Sequence, residues 1–271
     1  MDLKQQHHGV MSLLKRISKT FFCLLVLSVA ITGPVTSASP YIVAVYPENP
    51  PFLYDDNGHP AGMYLDIVRE TFIAMEQPIE VRLLPFRRAL QMAYDGDAIV
   101  AGILETPERA RLLDFSKAIY KEEMVVFTAK DHPRYYRSVE DLTGRTFGVI
   151  LGWSYGVRVD EARGTNQFQT VEGTLMANIL ATSQGMVDGF IHSRLSGLYQ
   201  LQMSGMTDRI KVNSDPISQV DIFIAGKKGE FSELMRRFNQ QLVILKENGA
   251  LDDIVYEYSS LYMTSPEASG E

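Results

Sequence analysis

The 271-residue chain is poor in the side chains that do covalent or metal chemistry: one cysteine, Cys23, and five histidines. Cys23 sits in an apolar run near the N-terminus, so whatever remains after loss of that run has no disulfide and no thiol nucleophile. His59, His132 and His192, the histidines beyond it, lack metal-ligand spacing, and no metal site or cofactor is expected. Basic residues are also scarce, 26 against 33 acidic ones, without the long Lys/Arg runs that bind nucleic acid or anionic membranes. The longest apolar run, Phe21 to Thr32, is too short for a transmembrane helix, which needs about 20 residues.

That run follows Lys15, Arg16 and Lys19 and precedes "GPVTSAS", with Thr36 and Ala38 spaced for cleavage after Ala38. The pattern predicts a secretory signal peptide over 1–38 and an exported mature protein; Met11 offers a second start. Residues 1–38 hold four Lys/Arg and one Asp, so the remainder carries 22 basic against 32 acidic side chains, a formal net charge of −10.

From Tyr41 onward, short apolar strands alternate with amphipathic segments, which predicts an α/β architecture with a largely parallel sheet. "YIVAVY", "IEVRLLP", "AIVAGIL" and "EMVVFTAK" read as strands of a first unit. In its first helix Leu65, Val68, Phe72 and Met75 share a face. A second run begins near Ser138 with "TFGVILG" and "VDGFIHS", and a long helix from Ser232 with Leu234, Phe238, Leu242 and Leu245 on one face closes the chain. Two lobes follow, 39–128 with 224–263 and 129–223, joined by crossings near Phe127 to Lys130 and Asp221 to Ala225. Residues 264–271 read as a disordered tail. A ligand in such an arrangement sits in the cleft, at strand C-termini and helix N-termini.

Two stretches at that cleft carry chemistry. In "ETPERARLLDFS" Thr106 suits a helix N-cap and Pro107 the first turn, yet Arg109 puts a cation where the helix already presents its positive end. The arginine either leans into solvent, at a cost of about 0.3–1 kcal/mol, or helps hold an anion. "GWSYG", Gly152 to Gly156, matches the serine-hydrolase elbow pattern between a strand and a helix, with Asp188 and His192 downstream. Those two lie only four residues apart on one strand, and no oxyanion loop precedes the serine. The non-covalent reading has Ser154 capping a helix while Trp153 and Tyr155 form flat walls; Trp153 could equally be packed. Phe86, between a strand and a helix with Arg87 and Arg88 beside it, is either a stacking platform or core. His192 either faces the cleft or is a satisfied structural histidine.

In order along the chain, "NPPFLYDDNGHPAGMYLDIV", "PFRRAL", "TPERARLLDFS", "SVEDLTGRTFGVILGWSYG" and "MVDGFI" resemble bacterial extracellular solute-binding protein family 3, the receptors of polar amino acid ABC transporters. The resemblance covers nearly the whole mature chain and implies a two-lobed Venus-flytrap fold, two α/β sandwich lobes joined by two hinge crossings. By position it makes Arg109 the clamp for a ligand carboxylate, Phe86 the stacking aromatic and Ser154 a hydroxyl meeting the same carboxylate. The expected ligand-binding set is Phe52, Phe86, Arg88, Gly102, Leu104, Arg109, Trp153, Ser154, Tyr155, His192 and Ser193. Two positions depart from the family pattern. Leu104 stands where a hydroxyl residue is common, and Ser193, beside His192, where an aspartate usually meets the ligand ammonium. Either another acid, Asp221 or Glu105, takes that role, or the ligand lacks an amine, because an unpaired ammonium in a closed cleft costs several kcal/mol.

The resemblance thus implies a monomeric periplasmic receptor that hands a small, carboxylate-bearing polar solute to an ABC permease. Two other classes use the same cleft: a cyclohexadienyl dehydratase-like enzyme with His192 or Glu105 as acid, and a sensor read by a membrane receptor.

Overall fold

The computed structural model describes residues 39–263. The expected leader over 1–38 and the expected tail over 264–271 lie outside the described residues.

The first half-sheet grows from β1 (Tyr41–Val45), flanked in parallel by β5 (Ile79–Leu83) and β6 (Ile99–Ile103). Every residue of β6, "IVAGI", is buried, as an apolar run covered on both faces requires. α1 (Met63–Ala74) follows a three-stranded sheet of β2 (Glu48–Asn49), β3 (Leu53–Asp56) and β4 (His59–Ala61). α2 (Phe86–Asp95) and α3 (Pro107–Leu112) follow β5 and β6, and β7 (Leu113–Phe115) runs along the sheet edge. Alternation along β1 divides the core: Val43 and Val45 face α1, and Ala44 packs with Ala89, Met92 and Ala93 of α2.

The second half-sheet has β9 (Thr146–Ile150) between parallel β10 (Gln169–Gly173) and β11 (Gly189–Ser193), with helices α4 (Val157–Gly164), α5 (Leu175–Ser183) and α6 (Arg194–Ser204). The short β12 (Ile210–Val212) adds to its edge. Two ten-residue strands, β8 (Tyr120–Ala129) and β13 (Ser218–Lys227), belong to both halves. They pair antiparallel over Tyr120–Met124 and Ser218–Ile222; beyond that stretch β8 pairs with β11 and β13 with β6. The sheet is therefore mixed, not largely parallel. The first crossing falls before Phe127, which already pairs with Phe190 in the second half. The polar start of β8, "YKEE", hid this half of the strand.

Helices α7 (Ser232–Glu247) and α8 (Ala250–Met263) complete the described chain. Leu65, Val68, Phe72 and Met75 of α1 and Leu234, Phe238, Leu242 and Leu245 of α7 are all buried, as their periodicity requires. Helix α8 packs on α1 and α7 in the first lobe and α6 in the second. Tyr258 donates to Asp66 at 2.6 Å, and the rings of Tyr199 and Tyr262 meet edge-on at 5.1 Å. The stretch "NPPFLYDDNGHPAG", which reads as a turn-rich loop, contains β3 and β4, and the half-exposed edge strand β10 lies where no element is expected. The helix expected from Ser154 begins at Val157, with Gly156 at its N-cap.

Close approach fixes one helix of the second lobe. A Cβ at Gly197 in α6 would lie 2.2 Å from Cζ of Phe127, which is itself stacked on Phe190 at 4.7 Å. Alanine would add about 1 kcal/mol of helix propensity, but overpacking costs about 1–3 kcal/mol and the stacked ring has nowhere to go. Gly197→Ala should therefore lower the unfolding free energy by a net ~1 kcal/mol, read as a lower urea midpoint; an unchanged or higher midpoint would mean that Phe127 can yield.

Candidate functional site

The C-terminal ends of the strands and the helix starts beside them meet at one cavity lined from both halves of the sheet. Tyr46, Phe86, Leu104 and Arg109 come from the first half, Gly152 to Ser154 from the second, and Glu122 and Met124 from β8. A more open cleft continues past Arg109 between Tyr94 and Thr106 on one side and Asp160 and Arg163 on the other.

Arg109 stands where the sequence puts it. Thr106 caps α3, its hydroxyl accepting from the Arg109 N–H at 3.3 Å, and Pro107 opens the helix. The guanidinium donates from Nη1 to the Leu104 carbonyl at 2.8 Å and lies over the Phe86 ring, 5.4 Å from its centroid. The bond uses the Leu104 backbone, so the missing hydroxyl at that position costs the arginine nothing. Phe86 is held edge-on by Tyr46 at 5.0 Å, and the Tyr46 hydroxyl donates to the Gly102 carbonyl at 2.6 Å. Gly102 has φ +79°, and a Cβ there would strike Leu53 at 2.7 Å, so only glycine fits this close turn. Burial lowers the Arg109 pKa, and the Tyr94 and Tyr46 hydroxyls only partly offset it. Among the described residues no carboxylate forms an ion pair with Arg109. A half-buried cation above an aromatic ring, short of counter-charge, has its guanidinium left to pair with an anion.

Across the cavity Trp153 and Ser154 form the second wall, though not as the sequence suggests. The Ser154 hydroxyl donates to the Asp160 carboxylate in the first turn of α4, and the Tyr155 N–H donates to the other oxygen at 3.0 Å. Asp160 thus anchors the loop, and Ser154 caps nothing. Tyr155 is buried, its hydroxyl accepting from the Ile150 N–H at 2.6 Å, so it is core and not a wall. Trp153 lies nearly flat on His192, with centroids 5.4 Å apart. His192 is buried beneath that indole with its pKa pushed down to about 3, and Nε2 meets Ser196 Oγ at 3.2 Å. It is a neutral supporting group. Asp188, the other supposed triad member, bonds the Thr146 N–H and Arg145. No serine-hydrolase triad forms, because Ser154, Asp188 and His192 each face different partners.

Three more expected residues lie elsewhere. Phe52 is fully buried, stacked on Tyr64 at 4.6 Å under the cavity. Arg88 is exposed on α2, on the side that turns away once Phe86 points inward. Ser193 is buried at the end of β11, outside the lining. Asp221 and Glu105 do not supply the missing acid: Asp221 pairs with Lys121 at 2.8 Å on the surface, and Glu105 is exposed.

One buried carboxylate does line the cavity, Glu122, which the sequence reading passed over. Along β8 the side chains alternate. Lys121 and Glu123 turn outward to Asp221 and Arg194, while Tyr120, Glu122 and Met124 turn toward the cavity and core. Glu122 is buried, accepts from the Tyr64 and Ser193 hydroxyls, and has its pKa raised to about 7, chiefly by burial. Asn49, in the same lining, is also buried, with a side-chain oxygen that has no partner. The period-2 pattern was the available signal: Glu122 shares parity with Met124 and Val126, both buried. Among the described residues no cluster of His, Cys, Asp and Glu could hold a metal ion, and no helix is long and apolar enough to cross a membrane.

The family description "Bacterial extracellular solute-binding proteins, family 3" matches residues 41–260. The arginine-binding extracellular protein ArtP of Bacillus subtilis (strain 168) is 21% identical over 226 residues, 82% of this chain and 87% of its own length. A histidine kinase sensor domain with similarity to periplasmic binding proteins shares the fold with a TM-score of 0.70 at 22% identity, over 82% of this chain and 96% of that one. The GluR0 ligand-binding core in complex with L-glutamate does so with a TM-score of 0.70 at 20% identity, over 82% and 99%.

Because the folded pKa of Glu122 lies above its unfolded value, the native state holds the extra proton between about pH 4.5 and 7, and stability falls as pH rises through that window. Glu122→Gln mimics the protonated form, so it should stabilise the ligand-free protein at pH 8 by on the order of 2 kcal/mol and flatten that slope. Equal melting of the two proteins at pH 8 would mean that Glu122 titrates as an ordinary carboxylate.

Proposed function

This chain belongs to the bacterial extracellular solute-binding proteins, family 3, and on that premise we propose that it captures a small carboxylate-bearing solute between its two lobes and presents it to an ABC permease. The observation that carries the reading is Arg109: a half-buried guanidinium, seated on Phe86 and held by the Leu104 carbonyl, with no carboxylate among the described residues paired to it. The ligand carboxylate completes that charge, and Trp153 and Ser154 close over it from the second lobe.

Closure bends the chain where β8 and β13 pair, which puts the hinge inside the two long strands, with Phe127 already in the second lobe and Phe223 already back in the first. Export through a leader over 1–38 places the monomer outside the inner membrane, in keeping with the extracellular relatives. The arginine-binding relative supports an amino acid or close analogue as the solute. The protein works by binding, without catalysis. The dehydratase reading needed His192 or Glu105 as acid, and one is buried under Trp153 while the other faces solvent.

Arg109→Ala should weaken binding of the best solute from a thermal-shift screen by about 2–5 kcal/mol, measured by titration calorimetry, since it removes one side of a buried charge pair. An unchanged affinity would contradict the clamp.

A further inference from the structure

Arg109 accounts for one pole of the cavity. The same lining also holds acidic and acceptor groups that meet no cation among the described residues. Glu122 lines the cavity from the strand shared by the two lobes, almost wholly buried, with two hydroxyl donors and no basic partner. The side-chain oxygen of Asn49, in the same lining and only 3% exposed, accepts from nothing. Glu48 stands at the exposed rim. A buried acceptor without a donor costs about 1–3 kcal/mol, and a buried ionised carboxylate costs more, so both groups are completed by a ligand that brings N–H donors and positive charge.

We propose that Glu122, with the Asn49 side-chain oxygen, receives the ammonium group of an α-amino acid whose carboxylate is held by Arg109, so that the acid for the amine comes from the hinge strand and not from the Ser193 position. The assignment rests on the solute-binding reading above and narrows the solute to zwitterions. Ser193, a hydroxyl where an acid would otherwise stand, then has a role of its own: it donates to Glu122 and helps aim it.

The position of Glu122 adds a consequence. Facing it are Tyr64 from α1, Tyr46 from the end of β1, Tyr120 from its own strand, Ser193 from β11, and across the cavity Arg109 from α3 and Glu48 at the rim. The tyrosines all stay neutral, because burial and the nearby carboxylate raise their pKa values. Glu122 is therefore the group in this set that changes charge near neutrality, and an ammonium ligand must drive its proton off. Binding should strengthen as pH rises, by about tenfold from pH 6 to pH 8, and level off above.

The test compares the twenty L-α-amino acids with their 2-hydroxy acid counterparts, by calorimetry at pH 6, 7 and 8, on the wild type, Glu122→Gln and Arg109→Ala. Expected is an L-amino acid that binds about a hundredfold more tightly than its hydroxy acid and gains affinity with pH, with both the preference and the pH dependence lost in Glu122→Gln. Circular dichroism and melting of Glu122→Gln show whether the variant is folded. If the variant is unfolded, Glu122→Asp is used instead; it keeps the charge and should keep the amine preference with weaker binding. Equal binding of the two acid classes, affinity that is flat or falls with pH, or a preference intact in Glu122→Gln overturns the assignment. A hydroxy acid that needs Arg109 but ignores Glu122 does so while leaving the solute-binding reading in place. Silence of every compound overturns both.

Discussion

Strand β8 serves two sheets at once, and the rest of the molecule is arranged around that constraint. Its first half must pair with β13 and its second with β11, so the two half-sheets share a backbone ladder and the chain can cross between lobes without an open sheet edge. Because side chains alternate along a strand, the same ladder decides which residues of "YKEEM" see water and which see the cavity. Lys121 and Glu123 take surface partners, and Glu122 is left on the inside. A carboxylate in such a place is costly unless hydroxyls solvate it, and Tyr64 and Ser193 do so. The buried acid is a product of the strand geometry as much as of the local sequence.

The opposite charge arrives by a different route. Arg109 is carried on the short helix α3, after a strand end. The guanidinium is oriented by a carbonyl and by the face of Phe86, neither of which neutralises it. Arg109 and Glu122 line one cavity without serving each other as an ion pair, which leaves both available. The support behind the site is apolar: Trp153 rests on a neutral His192, and Phe52 rests on Tyr64.

The parts of this arrangement legible in the sequence are those with strong local signals. The apolar faces of α1 and α7 follow from helical periodicity, β6 from an uninterrupted apolar run, and Arg109 from its place after Thr106 and Pro107. The losses have a common cause, that local pattern does not reveal a residue's tertiary partners. Ser154 reads as a cap until Asp160, six residues on, takes its hydroxyl. Tyr155 and Phe52, expected at the ligand, prove to be packed in the core. Arg88 is adjacent in sequence to useful neighbours but points away from them. Glu122 was hidden among charged residues, and only extending the β8 alternation backward from Met124 would have turned it inward.

The central claim is that a bound solute is balanced between Arg109 and an ionised Glu122. The most direct measurement is the number of protons exchanged on binding, obtained by calorimetry at pH 6.5 in two buffers of different ionisation enthalpy. Glu122 holds its proton for most of the time at that pH, so binding an L-α-amino acid should release more than half a proton per site, and none in Glu122→Gln. No release, or uptake, by the wild type would contradict it and leave Arg109 as the sole charged anchor.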